Sequence, residues 1–291
     1  MRTTTGNETS PLQLLAEVVA IQRVAPHHFR LSLHAPRLAE SAQAGQFIHV
    51  LPRQGQEYAP LLRRAFSIMA TQGEHLDILF RVGGQGTTKL AQRRVGDLVD
   101  ILGPLGQPFD TSLFHVKQVE TQRRAILVGG GIGVPPMVFL GKSLKEIGVE
   151  PLVIIGARSA PEVVGVEDFQ QLNLEVRIAT DDGTCGHRGR VTDLLEIALG
   201  ESGENTNKNH DKAVIYACGP LPMLRAASAL AADYDVPCQV SMEENMPCGI
   251  GVCNGCVVAM KGNSLEGYER YRRICVSGPA VWSHEIDWEG L

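Results

Sequence analysis

Four cysteines near the C-terminal end, Cys248, Cys253, Cys256 and Cys275, follow the spacing C-x4-C-x2-C-x18-C. Three thiolates in one short loop, joined by a fourth further on, are the ligand pattern of a plant-type 2Fe-2S cluster. Gly249, Gly251 and Gly255 between them allow the tight backbone that turns N–H groups toward sulfur. Such a cluster carries one electron at a time. A four-cysteine zinc site is the alternative, but zinc ribbons pair two short knuckles and here the fourth cysteine stands alone. Disulfides fit an odd count of seven cysteines poorly.

A cluster needs an electron source, and the segments upstream read as one. From residue 12 to about 110 the apolar or alternating runs Leu12–Val24, Phe29–His34, Phe47–Leu51, Phe66–Ala70, Leu76–Val82 and Asp97–Leu102 are separated by turn signals. Six strands so spaced predict a small antiparallel β-barrel. Two motifs sit on it. In Arg64-Ala65-Phe66-Ser67 the arginine fork suits a diphosphate, the phenylalanine a flat ring and the serine a flavin edge atom. In Gly83-Gly84-Gln85-Gly86-Thr87-Thr88-Lys89-Leu90 glycines precede a helix start, where free N–H groups and the helix dipole attract phosphate. Together they predict FAD, with Arg64 and the Gly86–Thr88 amides on the diphosphate and Phe66 and Ser67 by the isoalloxazine. Taken singly, Phe66 could be core, Arg64 a surface charge and the glycine string a plain turn before a helix.

The middle of the chain alternates strand and helix. The apolar strand Ala125–Val128 runs into Gly129-Gly130-Gly131-Ile132-Gly133-Val134-Pro135-Pro136 and a helix from about Pro135 to Ile147. Strand, glycine loop and helix are the setting for a dinucleotide, although Pro136 stands where a full G-x-G-x-x-G has its last glycine. Strands Leu152–Ile155, Leu174–Thr180 and Ala213–Ala217 alternate with helices near Glu162–Gln171 and Val191–Leu199, predicting a doubly wound parallel sheet. Cys218-Gly219-Pro220 follows the last strand at the end where such sheets bind ligands. Cys218 therefore stands either near a nicotinamide or as a small buried hydrophobe. Thr180-Asp181-Asp182-Gly183-Thr184, at another strand end, reads as a polar turn in preference to a dinucleotide contact. Arg158 and Ser159 leave NAD and NADP undecided.

Composition bounds the rest. The 291 residues suffice for two or three domains. A net charge of -5 argues against nucleic acid as the main partner. The start, MRTTTGNETS, lacks the apolar core of a signal peptide. The apolar run Ala125–Leu140 is broken by four glycines and two prolines and is no membrane span. The expected location is the cytoplasm. Residues 200–212 read as a polar loop.

With flavin motif, dinucleotide fold and cysteine loop in this order, the chain resembles the electron-transfer subunit of class B dihydroorotate dehydrogenase, within the ferredoxin–NADP reductase superfamily. The resemblance spans about Leu12 to Val281. It rests on Leu62-Arg63-Arg64 running into Phe66-Ser67-Ile68, on Leu79-Phe80-Arg81 with Gly86-Thr87, on Asp100–Gly106 and Gly129–Pro136, and above all on Ser241-Met242-Glu243-Glu244 leading into Cys248–Cys256. It implies three parts: an antiparallel FAD-binding β-barrel (residues 11–112), a doubly wound parallel-sheet NAD-binding α/β domain (120–237) and a small C-terminal 2Fe-2S domain (238–291). It implies FAD contacts at Arg64, Ala65, Phe66, Ser67, Leu79, Phe80, Arg81, Gly86, Thr87 and Thr88. NAD(H) would lie at Gly130, Gly131, Gly133, Cys218 and Gly219, and the cluster on the four cysteines. Electrons would pass between NAD(H), FAD and the cluster, to or from FMN in a separate dihydroorotate dehydrogenase catalytic subunit, within a heterotetramer of two copies of each subunit. No site for dihydroorotate is expected on this chain.

The family commonly has proline and an aliphatic residue where Ala65 and Phe66 stand, and the gap between Cys256 and Cys275 is somewhat long. The rival readings with the same cofactors are the NAD(P)H-oxidising subunit of a sulfhydrogenase and the small subunit of an NADH-dependent ferredoxin:NADP oxidoreductase. A zinc-binding interaction module and a reductase feeding a ferredoxin or oxygenase are more distant ones. Met246, Pro247, Ile250 and Val252 read as interface or as packing under the cysteine loop, and Arg270, Arg272 and Arg273 as a solvated face or a docking patch.

Overall fold

The computed structural model describes residues 11–55, 57–114, 123–203, 213–262 and 267–291. Residues 1–10, 56, 115–122, most of the 200–212 loop and residues 263–266 lie outside the described residues.

The first half is the expected barrel. Strands β1 (Leu12–Ala25), β2 (His28–His34), β3 (Phe47–Leu51), β4 (Arg64–Gln72), β5 (His75–Arg81) and β6 (Leu98–Leu105) close in the order β1-β2-β5-β4-β3-β6, with antiparallel neighbours. Alternation decides which faces turn inward. Ala16 and Val18 of β1, Leu31 and Leu33 of β2, and Val99 and Ile101 of β6 are fully buried. β3 departs from alternation: Phe47, Ile48, His49 and Val50 are all buried, because its outer face is covered too. Helix α1 (Pro36–Ser41) caps the barrel, and α2 (Gln85–Ala91) follows the glycines after β5. The sequence reading did not include α1.

The second half is a parallel sheet in the order β10-β9-β8-β7-β11-β12-β15. Its strands are β7 (Arg124–Gly130), β8 (Leu152–Ala157), β9 (Val176–Thr180), β10 (His187–Arg188), β11 (Ala213–Cys218) and β12 (Cys238–Ser241), with α3 (Val134–Glu146), α4 (Val166–Gln171), α5 (Val191–Gly203) and α6 (Leu221–Asp233) between them. Continuous apolar runs such as Ala125–Val128 are buried on both faces, as parallel strands are. The last strand, β15 (Ala280–Trp282), pairs antiparallel with β12. The sheet therefore continues past residue 237 into the C-terminal segment.

The cysteine loop leaves β12 and ends in the small hairpin β13 (Val257–Ala259) and β14 (Tyr271–Arg273), followed by α7 (Ile274–Ser277). The barrel packs against both other parts. Lys142 Nζ on α3 donates to the Thr71 carbonyl at 2.9 Å. Arg30 on β2 reaches both Asp77 of the barrel and Asp168 on α4. Tyr216 of β11 donates its hydroxyl to the Asp110 carbonyl at 2.9 Å and meets Phe109 edge-on. Trp288 packs on the parallel sheet, and its indole N–H donates to the Ser283 carbonyl. No helix among the described residues is long and apolar enough to cross a membrane.

Candidate functional site

A cleft of about 740 Å³ opens where the three parts meet. Its barrel wall is the start of β4 and the end of β5: Arg64, Ala65, Phe66, Ser67, Leu79, Phe80 and Arg81, with Gly83 and Thr87 beyond. Phe66 is half-buried and leans on Phe80, ring centroids 5.6 Å apart. Arg64 is held by the chain itself, its Nη1 donating to the Leu62 carbonyl at 2.9 Å. Thr87 Oγ1 accepts from the Gly83 and Gly84 N–H groups at 3.0 and 3.2 Å, which fixes the turn into α2. An arginine, an aromatic wall and a glycine turn along one cleft suit a diphosphate carrying a flat ring. Two residues predicted alongside do not border this cleft. Gly86 lies under the Arg64 side chain, where a Cβ would come within 3.4 Å of Nε. The Thr88 hydroxyl is turned back to the Gly84 carbonyl at 3.0 Å.

A second cleft, of about 460 Å³, lies over the C-terminal edge of the parallel sheet. Gly130, Gly131 and Gly219 line it, with Ala157 at the end of β8 and Arg158 just beyond, Asp181 after β9 and Arg190 before α5. Ligands of doubly wound sheets bind at this edge. Gly131 adopts φ +53 with open space where a Cβ would stand, so its backbone is bare toward the cleft. Gly133 is needed for another reason: a Cβ there would stand 2.2 Å from the Cys218 carbonyl oxygen. The glycine turn is therefore pressed against the end of β11, and Gly133 itself borders the first cleft. The 180–184 segment does two things. Asp182 Oδ1 accepts from the Thr184 N–H and hydroxyl at 3.0 and 2.6 Å, making the predicted turn, while Asp181 borders the cleft.

Arg81, Ile132 and Glu243 border both clefts, so the two communicate. Cys218 lies at this junction, on the first cleft, and is buried. Burial, with the charge of Glu243, pushes its thiol up to about 12. It is a neutral group at working pH, a small buried side chain that borders the first cleft. Glu243 opens onto both clefts, and its carboxyl is shifted upward by partial desolvation and by Glu244.

The cysteine loop begins where the first cleft ends. Asn245, Met246 and Pro247 border the cleft, and Cys248 follows. The four thiols influence one another, Cys248 with Cys253 and Cys275 with both Cys256 and Cys248. Backbone donors face the sulfurs: Val252 N–H lies 3.4 Å from Cys248 Sγ, Gly255 N–H 3.4 Å from Cys253 Sγ and Cys275 N–H 3.5 Å from Cys256 Sγ. Burial works against ionisation of Cys248, but the N–H groups of Cys253, Ile250 and Val252 outweigh it and lower its thiol to about 6. Burial and neighbouring Cys256 raise the Cys275 thiol to about 12. Cys256 and Cys275 are buried, packed in one cluster with Phe47 and Leu105 of the barrel, whereas Cys253 is exposed. The donor set and the amide cradle fit an iron–sulfur cluster.

Of the apolar residues near the loop, Met246 and Pro247 face the first cleft, while Ile250 and Val252 are 51% and 71% exposed. The arginines of the hairpin lie on a solvated face, Arg270 and Arg273 being exposed, but each is held by a partner on this chain. Arg270 pairs with Asp287, Arg272 with Glu285 at 2.9 Å, and Arg273 donates to the Gly251 carbonyl at 2.5 Å.

Two histidines at this junction were not singled out by sequence. His28, 3% exposed, borders the second cleft with its Nδ1 placed 2.7 Å from the Pro26 carbonyl. His49 is fully buried on β3 beneath the cysteine loop. His28 opens β2 beside His27, and His49 sits inside the run Phe47–Leu51, where its only signal is polarity out of place.

Comparison with known proteins agrees with this geometry. The family description "Iron-sulfur cluster binding domain of dihydroorotate dehydrogenase B" matches residues 243–287. A protein of Desulforamulus reducens named dihydroorotate dehydrogenase B (NAD(+)), electron transfer subunit, is 38% identical over 276 residues, covering 94% of this chain and 98% of that protein. One of the same name from Geobacillus kaustophilus is 37% identical, covering 92% and 96%. Among solved structures, an NADH-dependent reduced ferredoxin-NADP oxidoreductase described for flavin-based electron bifurcation superposes with a TM-score of 0.76 at 26% identity, over 96% of this chain and 91% of that one. The ferredoxin reductase of carbazole 1,9a-dioxygenase shares the fold, with a TM-score of 0.63 at 22% identity, over 79% and 68%.

Proposed function

The chain belongs to the family of dihydroorotate dehydrogenase B electron transfer subunits, and on that premise we propose how its residues carry electrons between NAD(H) and a catalytic partner. It is the electron transfer subunit of an NAD-dependent dihydroorotate dehydrogenase, using FAD and a 2Fe-2S cluster. The observation that supports the residue assignments is contiguity. The dinucleotide cleft shares Arg81, Ile132 and Glu243 with the flavin cleft, and the flavin cleft ends at Met246-Pro247, one residue before Cys248.

When bound, FAD and the cluster supply the conversion of a hydride pair into single electrons. The protein supplies order and spacing. Arg64, with the turn held by Thr87, would bind the flavin diphosphate, and Phe66 with Ser67 would seat the ring. Gly130, Gly131 and Gly219 would admit the dinucleotide backbone. The neutral Cys218 thiol and Glu243 would stand where the two ligands meet. Cys248, Cys253, Cys256 and Cys275 would hold the cluster, with the buried pair toward the barrel and the exposed Cys253 outward.

The partner is a catalytic subunit in which dihydroorotate and orotate interconvert. We propose FMN as its electron acceptor and a heterotetramer of two copies of each subunit. The exposed Ile250 and Val252 beside the cluster loop are the docking surface in this reading. The shared-cofactor alternative, an NADH-dependent ferredoxin–NADP oxidoreductase subunit, has a solved structure of the same fold, but the more similar curated relatives favour the dihydroorotate enzyme.

The test is a visible spectrum and iron count of the anaerobically purified chain, then coexpression with an FMN-binding dihydroorotate-oxidising subunit. Flavin bands and iron–sulfur absorbance, both bleached by NADH, with orotate formed only by the pair, are expected. Iron-free protein holding zinc would overturn the cluster reading. Full cofactor loading with no orotate from the pair would overturn the partner reading alone.

A further inference from the structure

His49 is a buried polar group that the electron path just described does not use. It stands on β3 with no exposed surface, and neither ring nitrogen has a hydrogen-bond partner. Buried polar side chains are nearly always satisfied, so an orphan imidazole at a functional junction calls for a partner acquired in the working state.

Its surroundings identify that partner. Gly249, at φ +68, lies directly on the ring: a Cβ there would stand 2.6 Å from Cε1 and 2.8 Å from both nitrogens. The Met246 carbonyl is the backbone acceptor facing the imidazole, although the two do not complete a hydrogen bond. Phe47, two residues earlier on the same face of β3, meets the ring edge-on at 5.7 Å and packs against Cys256 and Cys275. The segment Met246–Gly249 thus passes over His49 on its way from the flavin cleft to the first cluster ligand. The same loop presents the Val252 N–H to Cys248 Sγ at 3.4 Å.

We propose that His49 is a positioning residue for the cluster: once the four cysteines close on iron, its ring N–H donates to the Met246 carbonyl and fixes the Met246–Gly249 segment. The inference rests on the cluster reading above. Fixing this segment holds the backbone N–H groups on Cys248 sulfur, and donors to cluster sulfur stabilise the reduced, more negative state. Without the imidazole N–H the loop relaxes, those donors weaken, and the cluster becomes harder to reduce.

The experiment is an EPR-monitored redox titration of the full cofactor-loaded chain with His49→Phe and His49→Gln. Phenylalanine keeps the ring volume without a donor, whereas glutamine keeps a donor. In His49→Phe the reduced-to-oxidised ratio of the cluster at a fixed potential should fall about tenfold, a shift of about 59 mV for a one-electron couple. His49→Gln should recover most of the shift. Iron loss to a chelator should quicken in the phenylalanine variant by about tenfold, as expected for loss of an outer hydrogen bond. Potentials equal to wild type in both variants would show that the ring only fills space. Equal shifts in both would likewise overturn the donor role. Absence of any 2Fe-2S signal from the reduced wild-type chain would overturn the cluster reading itself.

Discussion

Arg30 on β2 donates to Asp168 on α4 at 2.7 Å, across the seam between the barrel and the parallel sheet, while its other edge holds Asp77 at 2.6 Å. One guanidinium therefore ties the barrel to α4, which flanks the parallel sheet. The site depends on that seam, because the two clefts meet across it. Burial works against the charged form of Arg30, but the two carboxylates outweigh it.

Replacing Arg30 by Leu should therefore cost more than a surface pair does. It leaves two partly buried carboxylates unpaired, and charged hydrogen bonds are worth about 1.5–3 kcal/mol. A double-mutant cycle with Asp168→Asn, read by urea unfolding, should give a coupling of about 1 kcal/mol or more. Additive losses would mean that the seam is held by packing alone.

Cys253→Ala should remove the cluster and spare the flavin, since Cys253 does not border the flavin cleft. NADH-driven dye reduction should persist while turnover with the catalytic partner is lost. Loss of both flavin and cluster from a folded variant would contradict the separation of the two sites.

Arg64→Ala should act in the opposite sense. The side chain borders the first cleft and is steadied by the Leu62 carbonyl. Removing a charged contact to a diphosphate costs about 1.5–3 kcal/mol, or roughly tenfold to a hundredfold in FAD affinity. Flavin content after gel filtration should fall while the iron content per chain stays the same. Unchanged flavin retention would move the diphosphate to another cation, with Arg81 the next on the cleft wall.

These parts of the site were legible because they are local. The cysteine spacing, the Gly129–Gly133 turn and the alternation of β1 and β2 are each contained in a few adjacent residues. What escaped is non-local. Nothing near Ala280–Trp282 says that it will lie antiparallel to β12 and extend the dinucleotide sheet. Helix α6 has no counterpart in the sequence analysis; Pro220 and Pro222 stand at its start, where proline is at home in a first helical turn. The pairing of Arg272 with Glu285 and of Arg270 with Asp287 depends on the hairpin folding back on the C-terminal segment. His49 looked like one polar residue in the run Phe47–Leu51; only the cysteine loop, two hundred residues later in the chain, makes it a junction.

The same histidine sets a pH dependence of stability. Burial, then the nearby charge of Arg63, lowers its imidazole from 6.5 to about 4. The folded protein therefore binds this proton less readily than the unfolded chain does. The stabilisation is complete above about pH 6.5 and is lost as the pH falls toward 4. At about 1.4 kcal/mol for each pH unit between the two values, the loss at the acid end is roughly 3 kcal/mol. His49→Phe has no such proton to bind. Its melting temperature should fall less than that of the wild type between pH 6.5 and 4, while the two curves run parallel from pH 6.5 to 8. Parallel curves through the acid range as well would show that the His49 ring takes up its proton in the folded protein as readily as in the unfolded chain.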